Sequence, residues 1–375
     1  MSLEIKKIEF FNFRNYSKFS LETPKNLMII VGDNAVGKTN IIEGIQLLTM
    51  MDSFRNPSWN EVIIKGEKES RLIIDFNQES RNLTTELVIN EGKRTYYLNG
   101  KNKRINELQG LIPSVLFTPD DLYIIKSSSE ARRNILDTLG SQLSKTYAAI
   151  KQDYQKILKQ KNSLLKEKLG SPQTIEAWNQ SLIKLGALLF IHRIKLYKRL
   201  ITQTQEIYAN FSDQEKMTAA YIPSFEEYIN SPLSEEELLS LSKEETEELF
   251  YQALACVQEE EIIRMKSLIG PHRDDIQFFI NGNNARSYGS QGQQRTIALS
   301  LKIAEVEIIR QLHECEPVLL LDDVMSELDE QRRKALLQVI KEETKTFITT
   351  TNLGYFDKQI LKKAQVFHLL AKETS

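Results

Sequence analysis

The sequence predicts an α/β fold carrying an inserted all-helical arm, and three stretches predict it. Residues 27–31 are a continuous apolar, β-branched run of strand length; residues 41, 42, 45 and 48 are apolar at helical spacing, and a glycine-bearing loop joins the two. From about residue 130 to 268 strand signals disappear, and helical periodicity with dense charge takes over. At Gly270 strand-and-turn character returns. The expected division is therefore a head made of residues 1–128 and 269–375, and an arm of residues 129–268.

Composition narrows the class. The 375 residues are 41% hydrophobic and 27% charged, as in a globular protein, and long enough for two domains. No apolar run approaches the roughly 20 residues that span a bilayer. The first ten residues mix Glu and Lys with apolar side chains, without a signal-peptide core, so a cytoplasmic protein without membrane association is expected. Two cysteines and four histidines, without ligand spacing, exclude a disulfide framework or a zinc site. A net charge of −2 gives no global nucleic-acid signature, so any DNA contact must be local.

In chain order, residues 3–11 read as a strand, and residues 20–22 lead into the strand before the loop. Residues 71–77, 83–90 and 95–98 read as antiparallel strands, with Asn99-Gly100 as a hairpin turn. Residues 115–117 form a short buried strand, and Thr118-Pro119-Asp120-Asp121 starts a helix. Beyond the arm come a strand at 276–280, a second Asn-Gly turn at 281–282 and a long helix over 291–314. A buried strand at 318–321, a helix at 329–340 and strands at 346–349 and 366–370 complete the pattern.

The arm's charge is split. Residues 145–199 hold twelve Lys/Arg, Lys168 among them, against Asp153, Glu167 and Glu176. Residues 206–261 hold fifteen acids, Asp213 among them, against Lys216 and Lys243. One reading is that the basic half binds a polyanion. The other is that oppositely charged helices pack together and neutralise each other.

Gly32-Asp33-Asn34-Ala35-Val36-Gly37-Lys38-Thr39 carries the chemistry. This is G-x-x-x-x-G-K-T, a phosphate-binding loop opening a helix: Gly32, Asn34, Gly37 and Asn40 shape a backbone cradle for an anion. Lys38 reaches the β and γ phosphates, and the Thr39 hydroxyl holds Mg²⁺. The strand of residues 318–321 ends in Asp322-Asp323. Asp322 is the metal-side carboxylate, and Asp323 is set to orient or deprotonate an attacking water. Arg14, one strand from the loop, is a candidate phosphate contact. Ser290-Gln291-Gly292-Gln293 opens the long helix and can act as a second anion cradle. One ATP cannot easily use both, which points to a head-to-head dimer with Ser290, Gly292 and Gln293 acting in trans. An ordinary N-cap serine is the plainer reading. Ser326-Glu327-Leu328-Asp329 crosses the same interface or caps the next helix.

The order of these motifs resembles ABC-type ATPase heads of the SMC group. The finer match is to the RecF family of bacterial recombination mediators. It rests on Asn12-Phe13-Arg14-Asn15-Tyr16, Phe117-Thr118-Pro119-Asp120-Asp121-Leu122, Arg132-Arg133 with Leu136-Asp137, Gly270-Pro271-His272-Arg273-Asp274-Asp275 and Tyr288-Gly289-Ser290-Gln291-Gly292-Gln293-Gln294-Arg295-Thr296. The resemblance implies an ABC/SMC-type P-loop ATPase head with a short arm. It implies ATP and Mg²⁺ as cofactors, an ATP-dependent homodimer and slow hydrolysis. It further implies binding to single-strand/double-strand DNA junctions, and loading of RecA with RecO and RecR. Three departures from SMC-type heads stand out. Asp323 replaces the usual Glu, no glutamine marks the usual loop near Thr118–Asp121, and Thr351 or Asn352 stands where a histidine switch is usual. Two other function classes fit parts of the pattern. An ATP-switched protein scaffold would use the acidic half of the arm, and a small-molecule kinase would have no use for Ser290.

Overall fold

In a computed structural model the described residues are 3–79, 81–167, 172–212, 214–229 and 232–370; Lys168 and Asp213 lie outside them. The chain forms two compact units, Met1–Leu122 with Glu305–Ser375, and Tyr123–Ala304.

The first unit opens with β1 (Leu3–Phe13), β2 (Tyr16–Glu22), β3 (Leu27–Val31) and α1 (Lys38–Thr49). There follow β4 (Glu69–Gln78), β5 (Arg81–Asn90), β6 (Lys93–Leu98), β7 (Lys101–Lys103), α2 (Ile105–Leu108) and β8 (Ser114–Phe117). The second unit holds α3 (Ser129–Leu143), α4 (Lys145–Glu167), α5 (Pro172–Ala209), β9 (Met217–Ile222), α6 (Glu235–Ser240), α7 (Lys243–Arg264), β10 (Asp275–Ile280), β11 (Asn283–Asn284) and α8 (Ala285–Tyr288). Helix α9 (Gln291–His313) runs through the division, and β12 (Val318–Asp322), α10 (Glu330–Val339), β13 (Thr346–Thr350), α11 (Lys358–Lys363) and β14 (Gln365–His368) finish the first unit.

Two sheets build that unit. One is antiparallel, in the order β2-β1-β4-β5-β6-β7; the other is parallel, in the order β14-β3-β13-β12-β8. Helix α1 touches strands of both, and every residue from Ile41 to Thr49 is buried. Phe10, Leu72 and Ile74 from one sheet and Met28, Ile30 and Leu320 from the other join Ile41 and Ile45 in a single core. The Asn-Gly turns form as expected, with left-handed backbone at Asn99-Gly100 (φ 48° and 73°) and Asn281-Gly282 (φ 49° and 80°). Thr118–Asp121 differs from expectation. The Asp121 carboxylate accepts from Thr118 N and Oγ1 (2.7 and 2.8 Å), which closes a 3₁₀ turn, and α3 starts only at Ser129.

The arm is not all-helical. Strand β9 lies inside it and pairs antiparallel with β10, Ile276 opposite Tyr221. This pairing draws the segment after Gly270 into the arm's unit, so the compact units part at 122/123 and 304/305 rather than at the motif-based limits 128/129 and 268/269. Side chains reinforce it. Arg132 grips the Asp275 carboxylate through Nε and Nη2 (both 2.8 Å), and Arg133 Nη1 donates to Asp274 O (2.5 Å). The buried Arg193 donates to Asp137 Oδ1 (2.8 Å) and Pro271 O (2.5 Å). Two motifs that stand far apart in sequence are thus each other's partners.

His272 belongs to this network. Its Nε2 lies 3.2 Å from Ser267 O, which can only accept, so Nε2 carries the proton and Nδ1 accepts from Tyr154 Oη at 2.6 Å. Burial, foremost, lowers its pKa from 6.5 to about 3. Protonation thus favours the unfolded chain, and the contribution is whole above pH 6.5 and lost as pH falls toward 3. The expected slope is up to about 1.4 kcal/mol per pH unit. Urea midpoints measured from pH 7 to 5 should fall more steeply for the wild type than for His272→Gln; parallel slopes would contradict this role.

Candidate nucleotide site

The loop of residues 32–37 leaves the C-terminal end of β3, and Asp322 ends β12 in the same parallel sheet. Clefts at the carboxyl ends of parallel strands are where α/β sheets bind ligands. Two glycines are sterically required. Gly37 has φ +108°, and a Cβ there would sit 2.5 Å from Asn15 Nδ2. At Gly32 a Cβ would meet Leu369 O at 2.6 Å.

Lys38 Nζ donates to the loop carbonyls of Gly32 and Asp33, both at 2.8 Å. Its charge is thus held over the loop's own backbone. Asn34 is exposed at the loop's tip. Asp322 is 5% exposed and accepts from Thr349 Oγ1 (2.8 Å) and from the Thr39 hydroxyl. Burial raises its pKa above the usual carboxylate range, while those hydrogen bonds and the charges of Arg55 and Lys38 oppose the shift. Asp323 has left-handed backbone (φ 50°), and its amide donates to Thr349 O and Oγ1. Its Oδ1 is buried without a hydrogen-bond partner, and burial raises its pKa. A hydroxyl beside a buried carboxylate, with an unpaired carboxylate oxygen next to them, is an oxygen donor set that fits Mg²⁺.

Arg14 is differently engaged from the expectation. Its Nε and Nη2 grip the fully buried Glu43 carboxylate (2.9 and 2.6 Å) rather than facing the loop. Arg55 Nη1 shares Glu43 (3.3 Å) and donates to Asn40 Oδ1 (2.7 Å), while Asn40 Nδ2 donates to Asn15 Oδ1 (2.8 Å). Asn15 Nδ2 and Tyr16 Oη donate to the carbonyls of Val36 and Gly37 (3.2 and 3.1 Å). The Arg14-Asn15-Tyr16 turn therefore braces the loop and its helix. Glu43, Arg55 and Thr349 escaped the sequence reading. No local signal marks them: on an amphipathic helix an acid reads as facing water, and all three contacts are set by long-range packing.

The candidates for action in trans, Ser290, Gly292 and Gln293, lie in the second unit. Ser290 and Gln293 form a reciprocal cap on α9: Ser290 N donates to Gln293 Oε1 (2.8 Å) and Gln293 N to Ser290 Oγ (3.2 Å). Gln293 Nε2 donates to Glu215 Oε1 (2.7 Å), Gly292 O accepts from Thr296 Oγ1 (2.9 Å), and Ser290 is exposed. The plainer N-cap role is thus realised. Ser326 Oγ donates to Asp323 O (2.7 Å), and Asp329 caps α10.

The family described as RecF/RecN/SMC N terminal domain matches residues 4–373. The DNA replication and repair protein RecF of Bacillus cereus (strain B4264) is 35% identical over 371 residues, 97% of this chain and 96% of that protein. The chain belongs to the RecF family. RecF of Bacillus thuringiensis (strain Al Hakam) is similar to the same degree and extent. Among solved structures, the recombination mediator protein RecF-ATPrS in the RecFOR pathway matches with a TM-score of 0.85 at 30% identity, over 99% of this chain and 97% of that one. The Smc head domain from Pyrococcus furiosus, at 16% identity and TM-score 0.53 over 98% and 94%, shares the fold. This RecF-family chain therefore has the head fold of ABC/SMC-type ATPases, in a family of DNA replication and repair proteins. Among the described residues no helix is long and apolar enough to cross a membrane.

Proposed function

We propose that the chain is an ATP-driven recombination mediator. It binds ATP with Mg²⁺, dimerises head to head on it, binds gapped and junction DNA and hydrolyses ATP slowly. With RecO and RecR it helps load RecA in repair and replication restart, in the cytoplasm. The observation that carries this reading is the meeting of the Thr39 hydroxyl with Asp322, beside the unpaired oxygen of Asp323, at the mouth of the loop. The RecFOR-pathway structure of a relative supports the partners.

The chain's own residues divide the work. Backbone N–H groups at the start of α1 bind phosphate. Lys38 exchanges the carbonyls of Gly32 and Asp33 for phosphate oxygens. Thr39 and Asp322 hold the metal, which supplies Lewis-acid polarisation of the phosphates when bound. Asp323 orients the attacking water and accepts its proton. Ser290, Gly292 and Gln293 of a second subunit close the site.

Light scattering tests the composite site. The wild type should be monomeric alone and dimeric with ATP and Mg²⁺, while Ser290→Arg should stay monomeric: at this exposed position arginine costs the fold about 1 kcal/mol through the lost α9 cap, but it cannot be accommodated against a phosphate-bearing partner. A wild type that stays monomeric throughout, or a variant that dimerises normally, would refute it.

A further inference from the structure

The arm's charge resolves into two populations. Lys161 is buried with Glu261 (2.7 Å), Arg193 is buried with Asp137 (2.8 Å), and Lys198 pairs with Glu235. Lys161–Glu261 and Lys198–Glu235 join the basic and acidic halves, while Arg193 pairs outside the acidic half, so neutralisation between the halves takes place but uses only part of the basic half. Lys145, Lys156, Lys159 and Lys166 of α4 are all exposed, and none forms an ion pair among the described residues.

Their spacing is not scattered. At 100° per residue, steps of 11, 3 and 7 residues keep all four within about 80° of the helix circumference. Of the buried residues of α4, Tyr147, Tyr154, Lys161 and Leu165 lie on the opposite side, and Ala148, in the first turn, falls at the stripe's margin. Exposed Gln152 and Ser163 fill the stripe between the lysines. Asp153 lies well off it, and Glu167 stands at its edge at the last residue of the helix. At 1.5 Å rise per residue the stripe spans about 31 Å. That is close to one turn of B-form duplex, about 34–36 Å. A rigid row of ammonium groups of this length, laid along a duplex, meets phosphates where the backbone strands cross it within one turn, and such contacts carry affinity without sequence preference.

We propose that the outward face of α4, through Lys145, Lys156, Lys159 and Lys166, is a duplex-DNA backbone contact of the arm. This rests on the DNA-binding reading above and assigns that reading a surface. The chemistry recognised is the phosphodiester backbone, not base edges, because the row offers charge and no bidentate or apolar reader.

The test uses the full chain with ATP and a labelled duplex of about 30 base pairs, long enough to exceed the stripe. Lys145→Gln, Lys156→Gln, Lys159→Gln and Lys166→Gln are combined. The slope of log affinity against log salt should become shallower by about 3.6, or 0.9 per lost contact. Over a fourfold rise in salt the wild type should then lose about a hundredfold more affinity than the variant. The same four positions as Arg should keep the wild-type slope. A wild type that binds duplex with a slope the Gln variant leaves unaltered would overturn this surface while leaving DNA binding intact. A wild type that binds no duplex would overturn the DNA-binding reading and this surface with it. Dimerisation by light scattering, expected unchanged in the Gln variant, separates a local loss from a failure of the ATP switch.

Discussion

Lys38→Ala is expected to lose ATP affinity, ATP-dependent dimerisation and ATP-stimulated DNA binding together. A hydrogen bond to a charged group contributes about 1.5–3 kcal/mol, which is tenfold to more than a hundredfold in affinity. The ammonium here donates to Gly32 O and Asp33 O, both on the loop that should receive the phosphates. Its removal therefore acts twice: the bound state loses its cation, and the unliganded loop loses the donor that holds two carbonyls. The three readouts fall together because, in the composite-site reading, the second subunit closes on phosphate rather than on the first subunit's protein surface. Fluorescent-nucleotide titration and light scattering on the same preparation check it. Normal ATP-dependent dimerisation in Lys38→Ala would sink the model.

The parts of this site that were legible in sequence are those whose physics is local. Leu27–Val31, the glycine-bearing loop and Lys38–Thr49 are consecutive, so strand, turn and helix could be read from period and composition alone. The same holds for Val318–Asp322 and the Asn-Gly hairpins. Strand β9 was illegible because only Met217 and Tyr221 of its six residues are buried, and its partner strand begins at Asp275. No alternation is visible in Met-Thr-Ala-Ala-Tyr-Ile, and the pairing that makes it a strand is long-range.

Glu43 was illegible for a different reason. An apolar period on α1 suggests one buried face, and an acid at position 43 lies off that face, where it would meet water. The helix is instead enclosed by two sheets and buried all round from Ile41 onward, so the acid is inside and must be paired. Arg14 and Arg55 supply that pairing. This also explains why Arg14, read as a phosphate contact from its nearness to the loop, is held on a carboxylate instead. Thr349 was likewise hidden: its reach to Asp322 depends on the β12–β13 register, Asp322 opposite Thr349.

Asp323→Asn should separate binding from hydrolysis. The substitution is nearly neutral for the backbone, because Asn, like Asp, tolerates the left-handed conformation that residue 323 adopts at φ 50°. The amide contacts to Thr349 involve the main chain and survive. What disappears is the charge and the proton-accepting oxygen, the one atom of the acid pair that is buried without a partner. Burial also raises the Asp323 pKa, which moves its basicity toward that of a useful proton acceptor at neutral pH. Loss of a general base of this kind lowers turnover by roughly 10²–10⁴-fold. Lys38, Thr39 and Asp322 remain, so ATP should still bind, and the dimer should accumulate because its exit through hydrolysis is blocked. Steady-state phosphate release beside light scattering at saturating ATP gives both quantities. Turnover at the wild-type rate would remove Asp323 from the mechanism, and loss of the ATP-bound dimer would mean that its carboxylate serves binding rather than the chemical step.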